Sequence, residues 1–231
     1  MFITEIFKSI QGEGTRAGLP CIFVRLTGCN LRCTWCDTAY AFHGGKKMSL
    51  EEILARVHEL AGRSDVPQAG RAAVPLVELT GGEPLLQEEI YPLAEKLLAD
   101  RYTVMIETSG ERYAGRLPRE VIKIMDVKCP DSGEADTFEM RNLDVLDSKD
   151  EVKFVLSTRR DYEFARDFTA QHHLAAKVKQ VLFSPVFADP EGKWQGLEPR
   201  QVVEWILADG LPVRLGLQLH KFVWHPATKG V

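Results

Sequence analysis

Apolar residues recur along this chain in two rhythms. Short continuous runs rich in β-branched and aromatic residues alternate with segments whose apolar positions return every three to four residues. The first run is Ile22-Phe23-Val24-Arg25-Leu26. Later ones are Val74 to Leu79 (with an early Pro75), Thr103 to Ile106, Val121 to Val127, Val152 to Leu156, Gln180 to Phe183 and Val213 to Leu217. Between them lie helical stripes. Ser49-Leu50-Glu51-Glu52 has the form of a capping box, and Leu50, Ile53, Leu54, Val57 and Leu60 continue it as one apolar face with His58 near its end. Ile90, Leu93, Ala94, Leu97 and Leu98 mark a second helix. Phe164, Ala165 and Phe168 mark a third, with His172 and His173 on its polar continuation. Pro199, the stripe Val202, Val203, Ile206 and Leu207, and a closing Gly210 mark a fourth. Arg63 to Ala73 is polar, contains Gly and Pro, and reads as a loop.

Strands separated by helices predict parallel β/α units. The intervals near Pro118 and Asp147 are too short for full helices, so some crossovers are reduced. Polar or Gly-rich motifs follow the C-terminal ends of strands, the end that builds active sites in β/α barrels. The expected fold is α/β: an incomplete, TIM-like barrel of about six strands, forming a single domain over residues 1–231.

Composition narrows the function. The 231 residues carry 29 Lys and Arg against 33 Asp and Glu, a formal charge of −4. That balance argues against non-specific nucleic-acid binding, which draws its affinity from phosphate neutralisation. No apolar run approaches the ~20 residues of a membrane helix. Met1-Phe2-Ile3-Thr4-Glu5 lacks the marks of a secretory signal. A cytoplasmic protein with neither a nucleic acid nor a membrane as partner is expected.

Three of the five cysteines fall within eight residues, in Gly28-Cys29-Asn30-Leu31-Arg32-Cys33-Thr34-Trp35-Cys36-Asp37, spaced C-x3-C-x2-C. Clustered thiols in a reducing compartment point to metal rather than to disulfides. One reading is a structural zinc site with His43 as fourth ligand. The other is a [4Fe–4S] cluster on Cys29, Cys33 and Cys36, with one iron left open to a substrate or cofactor. Cys21 opens an apolar run and reads as a small buried hydrophobe. Cys129 stands alone, and no motif marks the stretch from Arg112 to Asp150.

This cysteine spacing, with an aromatic before the third Cys, resembles the radical S-adenosylmethionine (SAM) superfamily. Thr80-Gly81-Gly82-Glu83-Pro84 resembles the superfamily segment that grips the methionine amino group. Ser9-Ile10-Gln11-Gly12-Glu13-Gly14, Phe23-Val24-Arg25-Leu26 and Trp35-Cys36-Asp37-Thr38 bring the chain close to the 7-carboxy-7-deazaguanine synthase family, from about Thr4 to Pro226. That resemblance implies a radical SAM carbon–nitrogen lyase. Its reaction turns 6-carboxy-5,6,7,8-tetrahydropterin into 7-carboxy-7-deazaguanine with loss of ammonia, on the route to queuosine and other 7-deazapurines of tRNA. It implies a [4Fe–4S] cluster, SAM and Mg²⁺, the last held by Thr38. SAM would meet Trp35, Cys36, Asp37, Gly82, Glu83, Ser109, Asp126, Val127, Lys128, Phe183, Ser184 and Pro185. The pterin would meet Ile10, Gln11, Gly12, Glu13, Arg25, Thr80, Glu107, His220 and Pro226, with Arg25 and His220 on its carboxylate, joined because a nearly closed barrel brings its first and last strands together. A flavodoxin- or ferredoxin-like electron donor and a homodimer complete the expectation. Two rivals stay open: a glycyl-radical-enzyme activase, which shares the cysteine spacing, and a zinc-stabilised binding module without catalysis.

Overall fold

The computed structural model describes residues 1–62 and 74–231, so the loop expected at Arg63 to Ala73 lies outside the described residues. In chain order the strands are β1 (Phe2–Ile10), β2 (Pro20–Leu26), β3 (Lys46–Lys47), β4 (Leu76–Gly81), β5 (Thr103–Thr108), β6 (Ile122–Asp126), β7 (Glu151–Leu156), β8 (Gln180–Pro185) and β9 (Arg214–Leu215). They form one sheet in the order β3-β1-β2-β4-β5-β6-β7-β8-β9. Every pairing from β2 to β9 is parallel, whereas β1 is antiparallel to β2 and to β3. The edge strands β3 and β9 do not meet, so this is an incomplete barrel, with six full parallel strands and the two-residue β9.

The helices are α1 (Leu50–Ala61), α2 (Ile90–Ala99), α3 (Asn142–Val145), α4 (Arg159–Gln171), α5 (Leu174–Lys177), α6 (Pro199–Asp209) and α7 (His220–Val223). The reduced crossovers are seen directly: no helix joins β5 to β6, and only the four-residue α3 joins β6 to β7. The capping box at Ser49 is complete, with Ser49 Oγ accepting from Glu52 N at 3.2 Å and Glu52 Oε2 accepting from Ser49 N at 2.7 Å. Gly62 ends α1 in the left-handed region (φ 70°), where a side chain would be strained. Helix stripes pack on the outer face of the sheet. Val77, Leu79, Val104, Ile106, Phe154 and Phe183 meet Ile53, Val57, Leu93, Leu97, Tyr162 and Ala165 in one apolar core.

Several expectations need correction. β1 was not anticipated; its sequence, Phe-Ile-Thr-Glu-Ile-Phe-Lys-Ser-Ile, alternates poorly: Phe7 stacks on Phe23 at 5.0 Å inside the barrel, Ile6 is half-buried and Lys8 is exposed. The last strand shrinks from Val213–Leu217 to Arg214–Leu215. His172 and His173 are not within a helix: α4 stops at Gln171, and His173 takes a left-handed conformation (φ 51°) that separates α4 from α5. The unassigned stretch from Arg112 to Asp150 is held by buried polar groups. Asn142 accepts from Ala114 N and donates to Gly110 O, both at 2.8 Å. Asp150, wholly buried, accepts from Lys123 N at 2.8 Å, from Lys123 Nζ at 3.0 Å and from Asp147 N at 3.0 Å.

Removing one partner of a buried pair leaves the other charge uncompensated. Asp150→Ala should therefore cost about 3–5 kcal/mol in denaturant unfolding, and the paired change Lys123→Met with Asp150→Leu should recover only part of it, since the N–H groups of Lys123 and Asp147 stay unpaired. A loss below about 1 kcal/mol, the range of a surface pair, would contradict this account.

Candidate active site

Side chains alternate between the two faces of a strand, and here the alternation turns charge inward. Ile22, Val24 and Leu26 of β2 face the helices, while Phe23 and Arg25 face the barrel. The same phase puts Glu78 and Thr80 of β4, Glu107 of β5, Asp126 of β6, Lys153 and Val155 of β7 and Ser184 of β8 on the wall of one cavity. Register fixes the neighbours: Phe23 lies beside Glu78, Arg25 beside Thr80, and Asp126 beside Lys153. Below these polar groups the inner face is apolar, with Cys21, Phe23, Leu76, Met105, Ile122 and Ile124 in a second, smaller cluster.

The floor comes from an unexpected direction. Because β1 runs antiparallel to β2, the loop between them leaves at the N-terminal end of the parallel strands and folds into the barrel. Gln11 Nε2 donates to Glu78. Glu13 Oε2 accepts from Lys153 Nζ at 3.0 Å and Glu13 Oε1 from Gln218 Nε2 at 3.0 Å. Lys153 Nζ also donates to Glu107. Leu219 N donates to Gly12 O at 2.9 Å, and a Cβ at Gly12 would run into the His220 ring.

The rim lies at the opposite, C-terminal end. The cysteine loop follows β2, the Gly81-Gly82-Glu83-Pro84 turn follows β4, and the two are packed backbone to backbone. Glu83 N donates to Gly28 O at 2.9 Å, and a Cβ on Gly82 would collide with Gly28 O and Cys29. Glu83 points away from the cavity, accepting from Leu85 N, Thr108 Oγ1, Ser109 N and Ser109 Oγ at 2.7–2.9 Å. Thr34 N donates to Ser132 O at 2.8 Å, so the stretch without a motif buttresses the cysteine loop. Cys29, Cys33 and Cys36 are free thiols, half-buried on one cavity wall. Burial lifts the Cys33 thiol to about 11, even with Lys128 near it. A bound metal centre would favour the thiolate there, since metal binding displaces the thiol proton. His43 stands exposed beside a separate shallow groove, and among the described residues no His, Asp or Glu joins the thiols in a single-ion site. Three cysteines on one wall suit a [4Fe–4S] cluster with one iron facing the cavity.

Comparison with known proteins bears on the same residues. The model of the Radical SAM superfamily matches residues 23–129. The 7-carboxy-7-deazaguanine synthase of Koribacter versatilis is 54% identical, covering 100% of both chains. That of Chlorobaculum tepidum is 39% identical, covering 99% of this chain and 96% of its own. The chain belongs to the 7-carboxy-7-deazaguanine synthase family. The crystal structure of QueE from Escherichia coli, 24% identical, superposes with a TM-score of 0.72 over 95% of this chain and 94% of that one, in agreement on the fold. A [4Fe–4S] cluster, SAM and Mg²⁺ are the cofactors of this radical SAM family.

Of the residues that the resemblance to 7-carboxy-7-deazaguanine synthases singled out, most line one cavity: Ile10, Gln11, Gly12, Glu13, Arg25, the three cysteines, Trp35, Asp37, Thr38, Thr80, Gly82, Glu107, Ser109, Asp126, Lys128, Ser184, Pro185 and His220. Four side chains do not. Phe183 is buried in the outer core against Phe154 and Tyr162, at 5.7 Å from each, because its place in β8 turns it outward. Val127 is in the same core, Glu83 is buried behind its turn, and Pro226 stands clear of the cavity lining. Arg25 and His220 do share the cavity, but strand closure does not bring them there. The segment after β9 crosses the open side instead. Lys221 Nζ reaches Asp37 Oδ2 at 2.6 Å and Gln218 Nε2 reaches it at 3.4 Å.

Sequence reasoning overlooked Glu78, Lys153, Gln218 and Lys221. For the first two a signal existed: each is a charge in the middle of an apolar strand. Burial, with Glu107 and Glu13 close by, pushes Glu78 well above the usual carboxylate range. Glu13 moves down, because Lys153 and Gln218 outweigh the burial that opposes them. Burial raises Glu107 against the pull of Lys153. Lys153 itself is driven upward by Glu107 and Glu13 in spite of its burial.

Gly12→Ala should displace the His220 ring and break the Leu219–Gly12 hydrogen bond, worth roughly 0.5–1.5 kcal/mol. Amide exchange at Leu219 should then quicken up to about tenfold. Unchanged protection at Leu219 would show that the contact is not made.

Proposed function

We propose that this chain acts as a radical SAM lyase, converting 6-carboxy-5,6,7,8-tetrahydropterin to 7-carboxy-7-deazaguanine with loss of ammonia, and that one domain over residues 1–231 does so. The observation that carries this reading is the shared cavity: a rim of three free thiols stands over a floor of hydrogen-bonding carboxylates and cations. A glycyl-radical activase would take a protein backbone and have no use for that floor. A zinc module would need a fourth ligand, and His43 lines a separate groove instead of the cavity that holds the thiols.

Cys29, Cys33 and Cys36 hold the cluster in this reading. When bound, the cluster and SAM would supply the one-electron chemistry that removes a hydrogen from the carbon bearing the substrate carboxylate. The chain's own work is placement and exclusion of water. Gly82, packed on Gly28 and Cys29, sets the backbone that would hold the cofactor's amino acid end beside the cysteine loop, while Trp35, Asp37, Ser109, Asp126, Lys128, Ser184 and Pro185 would surround the remainder. Thr38 Oγ1, which donates to Asp37 Oδ1 at 2.9 Å, is the hard oxygen offered to Mg²⁺. Arg25 takes the substrate carboxylate. Its Nε donates to Glu5 Oε1 at 2.8 Å, and this fixes the guanidinium on the cavity wall. His220 adds a hydrogen bond from the far wall. Glu13 and Glu107 accept from the N–H groups of the aminopyrimidine ring.

The reductant is a small flavodoxin- or ferredoxin-like protein, the quaternary state a homodimer, the compartment the cytoplasm. No helix among the described residues is long and apolar enough to cross a membrane.

The test is anaerobic incubation of the reconstituted protein with SAM, reductant and the pterin, read by mass spectrometry. The deazapurine product and 5′-deoxyadenosine should both form. Absence of product from protein with a full cluster would overturn the assignment. Cys29→Ala, Cys33→Ala or Cys36→Ala should each abolish the cluster absorbance, and Cys129→Ala, whose thiol is buried in the core, should not.

Arg25→Ala removes a charge-assisted hydrogen bond and should weaken substrate affinity by roughly tenfold or more. Arg25→Lys should restore only part, since an ammonium lacks the planar fork. Wild-type KM in Arg25→Ala with full iron content would end this role.

A further inference from the structure

We infer that Lys153 is a substrate-positioning residue, which holds Glu13 and Glu107 ionised and aimed so that they can accept from the N–H groups of the ring; this rests on the proposed pterin substrate. No motif marks Lys153. It stands in Val152-Lys153-Phe154, in the phase of β7 that faces the cavity, and its side chain is 7% exposed. An ammonium so deep in a protein is held by partners. Glu13 lies on the floor loop and Glu107 at the end of β5, so the ammonium bridges two separate pieces of chain.

The chemistry calls for such a bridge. A 2-amino-4-oxopyrimidine presents N–H donors along one edge, and an ionised carboxylate accepts there while a protonated one competes by donating. Two carboxyl groups sharing a buried site repel each other, and one tends to keep its proton. A cation between them removes that repulsion. It takes Glu107 Oε1 and Glu13 Oε2, and with Gln218 Nε2 donating to Glu13 Oε1 it fixes how each carboxylate is turned. The full surroundings of Lys153 support a net need for positive charge. Glu13 from the floor loop, Glu78 from β4, Glu107 from β5 and Asp126 from β6 face it, against Lys128 on the rim and His220 from α7. Lys128 is already paired with Asp126 at 2.8 Å.

The sign of the pH effect follows. Without the ammonium, both carboxyl groups bind protons more tightly, so fewer are ionised at a given pH. The acid limb of kcat/KM should move to higher pH. Because variant and wild type are compared on one substrate, ionisation of the pterin itself cancels.

The experiment uses the reconstituted full chain as wild type, Lys153→Met, Lys153→Arg and Glu107→Gln. Iron content, SAM cleavage without pterin, and KM and kcat for the pterin from pH 5.5 to about 9 are measured for each. In Lys153→Met, KM should rise on the order of a hundredfold at neutral pH, with iron and pterin-independent SAM cleavage retained. Its acid limb should shift up by about one pH unit or more. Lys153→Arg should return the acid limb toward wild type while recovering only part of KM, since its fork is the wrong shape for the same two oxygens. A Lys153→Met enzyme with wild-type KM and an unmoved acid limb overturns the inference. So does one that loses stability while its pH profile stays in place, because a purely structural lysine would do that. Should Lys153→Met fail to fold, Lys153→Arg and Glu107→Gln decide: wild-type KM in both rejects the role. Failure of the wild type to turn over the pterin, with its cluster intact, rejects the substrate instead and leaves the two outcomes distinct.

Discussion

Glu13, Glu78, Glu107 and Asp126 share the inside of this barrel with Arg25, Lys128, Lys153 and His220, and the arrangement of the remaining chain answers to the pairing of those charges. A carboxylate taken out of water costs several kcal/mol unless it is paired and hydrogen-bonded. Adjacent strands supply only part of the pairing, Asp126 beside Lys153. Parallel neighbours in register place Glu78 beside Phe23 and Met105, and Glu107 beside Ile124. Partners for Glu78 and Glu107 therefore come from two strands away or from loops that enter the barrel. Lys153 reaches across from β7 to Glu107 of β5, and the floor loop brings Gln11 to Glu78. Gly12 and Gly14 make that loop possible: neither has room for a side chain against His220 and Glu151.

The same constraint divides what the amino-acid sequence reveals from what it hides. Local rules were legible. The Ser49 capping box, the Gly210 stop and the apolar stripes of α1, α2 and α6 each report on a few neighbouring residues, and the cysteine loop and the Gly81-Gly82-Glu83-Pro84 turn carry their chemistry in adjacent positions. The order of parallel strands followed from the alternation of runs and stripes. Long-range pairing was not legible. Nothing in Phe2 to Ile10 states that it will run antiparallel beside β2, because that strand is defined by its partner. Lys153 looked like one polar residue in a strand until Glu13, 140 positions away, and Glu107 were found on its ammonium.

Phe183 shows how a local rule misleads when its phase is ignored. The end of β8 does reach the cavity, through Ser184 and Pro185. One residue earlier, the pleat turns the side chain outward, into the core with Phe154 and Tyr162. Proximity in sequence to a strand end is thus a weaker guide than the parity of the position. Parity also accounts for Glu78 and Thr80, which fall in the inward phase of β4 while Val77 and Leu79 belong to the outer apolar core.

An open sheet leaves one side of the barrel unsealed, and the chain closes it with residues from opposite ends of its length. The segment after β9 is tied to the floor by Leu219 N on Gly12 O and Gln218 on Glu13, and to the rim by Lys221 on Asp37. Asp37 immediately follows the third cysteine, and Lys221, with Thr38 and Arg25, holds its carboxyl below the ordinary range although burial opposes this. One short stretch of chain thus touches both the cofactor end and the substrate end of the cavity. Each tie alone is modest: a partly exposed ion pair contributes up to about 1 kcal/mol and a neutral hydrogen bond about the same. Their value lies in geometry. His220 can face the substrate side only if Leu219 is pinned at Gly12, and Gln218 can orient Glu13 only from that same turn. The rim position of Lys221 then follows from three residues of chain, so the two ends of the site are set in register by one piece of backbone rather than by separate elements.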